Sequence, residues 1–205
     1  MKSLATLLLT STLALAGPLG TRQASPAEII SSSVSGNGCP QGTFTSSISI
    51  DGQTLTYGFD DYSVSVGQGA PPDSREKTCD VTIRIRFPQG CTNARISSTY
   101  HGFAQLEQGV TGTFASQYNL SPGQILSGGN PPPATVSSAG FGGAGNVYTK
   151  ADSAAARVNV VNQSQNVVTY IARTRVFTQS ANGVAFGSLS VDDATINISQ
   201  QSRCW

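Results

Sequence analysis

The sequence is poor in charge and in several residue types on which particular functions depend. Only 11% of its 205 residues are charged, and it contains one Met, one Trp and one His. So small a charged fraction argues against a coiled coil and against a disordered chain kept open by charge repulsion. A net charge of +1 does not supply the basic surface that nucleic-acid binding requires. The composition therefore predicts a globular protein with no nucleic-acid partner.

Long hydrophobic runs are lacking outside the N-terminus. Residues 1–16 combine Lys2, an apolar run and the small residues Ala14 and Ala16, a pattern typical of a secretory signal. The run is shorter than the roughly 18 apolar residues of a membrane span, and no later segment approaches that length. We predict a secreted, extracellular monomer with no membrane span. Its parts are a signal peptide over residues 1–16, a disordered N-terminal segment over residues 17–35 and a single domain over residues 36–205.

No segment shows a helical stripe with caps at both ends, and apolar residues instead recur at every second position. Val81, Ile83, Ile85 and Phe87 are the clearest case. A similar alternation places Phe44, Ile48 and Ile50 on one predicted core face, before a hairpin-turn signal at Asp51-Gly52. Short alternating segments between Gly, Pro, Asn and Asp predict an all-β fold, an antiparallel sandwich or barrel.

The segment Ser121–Gly145 lacks this alternation. It holds three consecutive prolines and a glycine cluster, and so predicts a long surface loop. Within it, Gly140–Gly145 matches the pattern G-x-G-x-x-G, which binds a dinucleotide only between a strand and a helix. No βαβ pattern surrounds the motif. We therefore predict no cofactor.

The exported chain carries two further features that are typical of secreted proteins. Its four cysteines predict two disulfides with three possible connectivities. Zinc is the alternative, but no Cys-x-x-Cys pair is present and His101 is the single histidine, so no metal site is predicted. Three Asn-x-Ser sequons predict glycosylation. They begin at Asn119, Asn162 and Asn197.

Candidates for catalysis are few. His101 could act as a general base, but the sequence contains no G-x-S-x-G motif to supply the nucleophile. The acidic pairs Asp60-Asp61 and Asp192-Asp193 follow predicted strands, where two carboxylates can hydrolyse a glycoside or hold Ca²⁺. The simpler interpretation is a solvated turn, because Asp side chains bond to the local backbone there.

Four arginines alternate with apolar residues and are predicted to point away from the core. Arg84 and Arg86 lie on one predicted strand, and Arg173 and Arg175 on another. If the two strands are neighbours, four guanidinium groups share one face and can bind an anionic polymer or stack on sugar rings. The alternative is an exposed face made soluble by cross-strand Arg–carboxylate pairs.

Several short motifs occur in an order that resembles a known family. They are Gly36-Asn-Gly-Cys-Pro40, Asp73-Ser-Arg-Glu-Lys-Thr-Cys79, Phe87-Pro-Gln-Gly90, Tyr100-His-Gly-Phe103 and Leu189-Ser-Val-Asp-Asp193. Together they resemble small secreted, cysteine-paired proteins of uncharacterised function that are common in filamentous fungi. The resemblance implies a β-sandwich and brings no established catalytic set. It also implies a retained Cys39–Cys79 pair, which leaves Cys91 for Cys204.

These observations lead to two functional hypotheses. The first is a secreted, non-enzymatic protein that binds wall polysaccharide or a host protein, in the second case as an effector or virulence factor. Its candidate binding residues are Arg84, Arg86, Arg173 and Arg175. The alternative is an extracellular polysaccharide hydrolase that uses a carboxylate pair among Asp60, Asp61, Asp192 and Asp193.

Overall fold

The computed structural model of the protein describes residues 26–137, 145–160 and 166–203. These residues form thirteen strands and one short 3-10 helix. The strands are β1 (Glu28–Ser35), β2 (Phe44–Ile48), β3 (Thr54–Phe59), β4 (Ser63–Val66), β5 (Glu76–Arg86), β6 (Gly90–Leu106), β7 (Val110–Leu120), β8 (Ile125–Ser127), β9 (Ala134–Ser137), β10 (Asn146–Val160), β11 (Val167–Ser180), β12 (Gly187–Ser190) and β13 (Asp193–Arg203). The 3-10 helix spans Pro72–Arg75.

The strands form two antiparallel sheets packed as a sandwich, which confirms the predicted fold class. The smaller sheet has the order β1-β5-β11-β7-β9. The larger, eight-stranded sheet runs β2-β3-β13-β6-β10-β8. Strand β12 pairs with the end of β6 that β13 does not reach, and β4 pairs with β12. Long central strands on both sheets follow from the period-two alternation, which gives each strand one apolar face to bury.

The core lies between the two sheets and contains the predicted apolar positions. Ile83 and Ile85 of β5 have no exposed surface, and Phe87 is 1% exposed. Polar groups also bridge the sheets inside the core: the Tyr62 and Thr174 hydroxyl oxygens lie 2.9 Å apart. The Cys39–Cys79 disulfide joins the segment after β1 to β5. This bond confirms the predicted pair, whereas the side chains of Cys91 and Cys204 lie outside the described residues.

Three sequence-based expectations are wrong in part. Residues 28–35 were expected in a disordered segment but form β1, because Ile29 buries its side chain while the strand adds to the edge of β5. The predicted loop contains two strands, since Leu126 pairs with β10 and Val136 with β7. Ile50 is fully exposed in a turn after β2 ends at Ile48, so it does not reach the core.

Candidate functional site

The outer side of the larger sheet is a broad surface of small uncharged side chains, which we call the polar face. It arises because inward positions of these strands are apolar while the alternate positions are Ser, Thr or Asn. On β13, for example, Ala194 and Ile196 are buried, and Thr195 and Asn197 point outward. The polar face is made of Thr45, Ser47, Thr54, Thr56, Ser97, Thr99, Thr149, Ser153, Thr195 and Asn197.

The strand register aligns these side chains in rows across the sheet. One row joins Ser47 of β2, Thr56 of β3, Thr195 of β13 and Thr99 of β6. The next row joins Thr54, Asn197, Ser97 and Ser153. Neighbouring strands lie about 4.8 Å apart and alternate residues about 6.7 Å apart along a strand. The polar face is thus a regular grid of hydrogen-bonding groups.

Charged side chains also lie on this side of the sheet. Arg95 of β6 donates to Ser153 Oγ at 2.9 Å, and Arg157 of β10 is exposed in phase with Ser153. His101 forms a charged pair with Asp193. His101 Nδ1 is 2.7 Å from Asp193 Oδ1, across the β6–β13 register, and the two side chains are 43% and 44% exposed. His101 is therefore a strand residue that faces solvent. The alternating pattern of each strand does not reveal which strands are neighbours, so Asp193 was not foreseen as its partner.

An exposed apolar patch borders the polar face beside the His101–Asp193 pair. Phe103 is 41% exposed, and Val147, its partner across the β6–β10 register, is 65% exposed. The backbone of Phe103 is held by Ser190, whose Oγ accepts a hydrogen bond from the Phe103 N–H at 3.2 Å. A side chain at Gly145 would collide with the Phe103 ring, because its Cβ would lie 1.9 Å from Cζ. Gly145 therefore leaves room for the ring in its present position.

The candidate catalytic carboxylates lie in two adjacent turns. Asp60 and Asp61 lie between β3 and β4, and the Phe59 N–H donates to the Asp192 carbonyl at 2.9 Å. The carboxylates of the two turns make separate contacts. Asp61 pairs with Lys77 at 3.1 Å, and Asp192 accepts a 2.7 Å hydrogen bond from Ser190. Asp193 faces His101 instead.

The four candidate arginines do share one face, the outer side of the smaller sheet, because β5 and β11 are neighbours. Three of them are paired with carboxylates. Arg173 binds Asp80 with Nη2 2.8 Å from Oδ2, Arg175 binds Glu76 in the same forked manner, and Arg86 pairs with Glu28. Within the described residues Arg84 alone of the four has no ion pair. Most of the positive charge of this face is therefore balanced locally.

The interior holds an ionic cluster that sequence reasoning missed. Lys150 and Asp152 form an ion pair with side chains 5% and 4% exposed. Asp152 Oδ2 also accepts hydrogen bonds of 2.6 Å from both Ser116 and Tyr118. Burial raises the pKa of the Tyr118 phenol, so that the hydroxyl stays a donor. The signal was available, because Lys150 and Asp152 are in phase with the buried residues Tyr148, Ala154 and Ala156.

The structure brings no metal-binding group together within the described residues. None of the helices found there is long and apolar enough to cross a membrane. Two sequons are described: Asn119 lies on the outer side of β7, and Asn197 lies in the middle of the polar face. Asn162 and the glycine motif at residues 140–144 lie outside the described residues.

Fold and surface together define an antiparallel β-sandwich with an extended polar face. The chain belongs to the family described as a domain of unknown function, DUF4360, whose model matches residues 25–204. An uncharacterized secreted protein of Arthroderma benhamiae is 38% identical over 93 residues, which are 45% of this chain and 38% of that relative. Both findings confirm the resemblance to an uncharacterised family of secreted fungal proteins.

Solved structures show only distant likeness. A TmCBM61 structure in complex with beta-1,4-galactotriose has a TM-score of 0.25 at 9% identity, covering 85% of this chain and 91% of that one. The CBM22-1 xylan-binding domain of Paenibacillus barcinonensis Xyn10C also has a TM-score of 0.25, at 12% identity, covering 88% and 100%. Likeness at this level carries no argument about ligands.

Proposed function

We propose that this secreted protein binds wall polysaccharide through the polar face. The grid of aligned Ser, Thr and Asn side chains across β2, β3, β13 and β6 is the observation that carries the proposal. A hydroxyl group both donates and accepts hydrogen bonds, as a sugar hydroxyl does. Each such bond contributes only about 0.5–1.5 kcal/mol, so a ligand that spans many of them is favoured over a small one.

The low charge of the grid selects the kind of polysaccharide. Its row through Thr56 carries no ionised side chain from β2 to β6, and its row through Thr54 carries none from β3 to β6. The nearest cation, Arg95, lies beside the second row and donates to Ser153. A neutral polymer such as a glucan or chitin therefore fits better than a polyanion. The exposed Phe103 ring beside His101 adds an apolar surface against which the C–H face of a sugar can pack.

A host protein is the other partner class that the sequence suggests. Cores of protein interfaces are enriched in aromatic residues and Met, whereas the residues that make up the polar face include no aromatic side chain, and Phe103 and Phe186 are exposed only beside it. The chemistry of this surface therefore favours a carbohydrate. If the protein acts as an effector, it does so by binding that carbohydrate.

A sedimentation assay with insoluble chitin, β-glucan and cellulose tests the proposal, with reducing sugar measured in the same tubes. We expect retention on at least one polymer without release of sugar. Release of sugar that disappears in Asp192→Asn or Asp193→Asn would favour the hydrolase alternative. Absence from all three pellets would contradict the proposal.

A further inference from the structure

A cleft of about 740 Å³ lies at one end of the smaller sheet, away from the polar face. Its floor is the end of β11, with Arg175, Phe177 and Gln179 on the outer side. The 3-10 helix contributes Arg75 to one wall, and Thr111 at the start of β7 contributes to another. This volume is within the range of about 300–1,000 Å³ that small-ligand sites occupy.

Arg175 is held in one orientation at this site. Its Nε donates to Glu76 Oε1 at 2.7 Å and its Nη2 donates to Oε2 at 2.6 Å. Its guanidinium carbon lies 4.7 Å from the centre of the Phe177 ring. These contacts use one edge and one face of the guanidinium group, and the Nη1 donors are not used by any bond found within the described residues. A preorganised arginine of this kind loses little side-chain entropy on binding a ligand.

The cleft also carries positive charge and hydrogen-bonding groups that are not committed elsewhere. Arg75 is exposed and forms no ion pair within the described residues. The charged residues of the cleft lining are Arg75, Arg175 and Glu76, which together give it a net charge of +1. Gln179 and Thr111 face each other across the β11–β7 register.

We propose that this end cleft is a second binding site, specific for a carboxylate-bearing sugar unit such as a uronate. Arg75 binds the carboxylate, with the free Nη1 of Arg175 as a further donor, because guanidinium groups pair with carboxylates through two parallel hydrogen bonds. Gln179 and Thr111 supply donors and acceptors for sugar hydroxyls. The protein then recognises neutral polymer on one sheet and an acidic sugar on the other.

Titration calorimetry with trigalacturonate tests this inference, and its fully methyl-esterified form is the matched neutral ligand. We expect saturable binding of trigalacturonate and no measurable binding of the ester. Arg75→Gln should raise the Kd by up to about fivefold, as loss of an exposed ion pair implies. Arg84→Gln is the matched control, because Arg84 is an exposed arginine without an ion pair on the same sheet. It should leave the Kd unchanged, and Arg75→Lys should fall between.

Four results would overturn the inference. They are no saturable binding of trigalacturonate, equal binding of the methyl ester, equal weakening by Arg75→Gln and Arg84→Gln, and displacement by equimolar inorganic phosphate. The third would indicate attraction by overall charge, and the fourth a site for any anion. Retention on neutral polymers is measured separately, so failure here leaves the proposal for the polar face standing.

Discussion

Lys150 and Asp152 lie two residues apart on β10 and form an ion pair inside the sandwich. Strand periodicity directs both side chains inward, and Asp152 is hydrogen-bonded from β7 by Ser116 and Tyr118. Lys150 Nζ also donates to Ser116 Oγ at 2.9 Å. A buried ion pair adds little stability compared with well-packed apolar residues, but removal of one member leaves an uncompensated charge in the core.

Asp152→Asn should therefore lower the free energy of unfolding by about 3–5 kcal/mol, because it leaves the Lys150 ammonium in the core without its anionic partner. Urea denaturation measures the change. The double variant Lys150→Met with Asp152→Leu removes both charges and should be clearly more stable than Asp152→Asn. If the double variant is the less stable of the two, the cluster contributes net stability and this account of it is incorrect.

The Cys39–Cys79 disulfide closes a loop with a sequence separation of 40 residues. Loop-closure entropy predicts that replacing both cysteines by Ala costs about 4 kcal/mol. Both cysteines are replaced together so that no free thiol remains to affect the result. The unfolding midpoint of the double variant is compared with that of the oxidised wild-type protein. A loss below about 1 kcal/mol would show that the bond contributes little to this fold.

All six tyrosines are wholly or largely buried, and burial raises the pKa of each phenol. For Tyr100 the pKa rises to about 12. In the unfolded chain phenols ionise near pH 10. The stability that depends on neutral phenols is complete below pH 10 and is lost as pH rises, by up to about 1.4 kcal/mol per pH unit for each tyrosine.

Alkaline titration should accordingly show phenolate absorbance appearing together with loss of β-sheet circular dichroism, well above pH 10. Both signals are recorded on one sample. Phenolate absorbance with a midpoint near pH 10 and an unchanged circular dichroism spectrum would mean that the tyrosines are accessible to solvent in the native state.

Asn197 combines a predicted glycosylation signal with a central place on the polar face. Its Nδ2 donates to Thr54 Oγ1 at 3.0 Å, and Ser97 lies opposite on β6. A glycan on this nitrogen covers the rows that we propose bind polysaccharide. In a glycosylating host, the wild-type protein should therefore be retained on polymer less strongly than the Asn197→Gln variant. The difference in retention should increase with the fraction of Asn197 that carries a glycan, which mass spectrometry measures.

Asn119→Gln is the matched control, since Asn119 lies on the outer side of the other sheet. It should remove a glycan without changing retention. Equal gains from both variants would show that glycans affect binding in general rather than at the polar face. Full Asn197 occupancy with undiminished retention would place the binding surface elsewhere.

Much of the fold follows from alternation in the sequence. Strand β5 was predictable because Val81, Ile83 and Ile85 alternate with polar residues along it, and all three are buried. Strands β1 and β9 were not, because the three apolar residues of β1 do not alternate with polar ones and the only apolar residues of the short β9 are Ala134 and Val136. Their strand conformation depends on edge pairing with β5 and β7, which is a tertiary effect.

The candidate sites depend on register, which a single strand's pattern does not contain. The sequence places Arg173 on an exposed face, but only the pairing of β11 with β5 brings Asp80 to its guanidinium. The same holds for His101 and Asp193, which are far apart in the chain. The polar face itself was overlooked because each Ser or Thr is unremarkable alone, and its grid exists only once the strands are ordered.

The most direct test of the polar face is the affinity of two triple variants for a soluble oligosaccharide of whichever polymer retains the protein. One variant replaces Thr56, Thr99 and Thr195 by Ala, a single row of the face. The control replaces Thr82, Thr135 and Thr169 by Ala on the outer side of the smaller sheet. We predict that the first raises the Kd about tenfold or more, as loss of several hydrogen bonds implies, and that the control leaves it within twofold. Equal affinities for wild type and both variants would contradict the account.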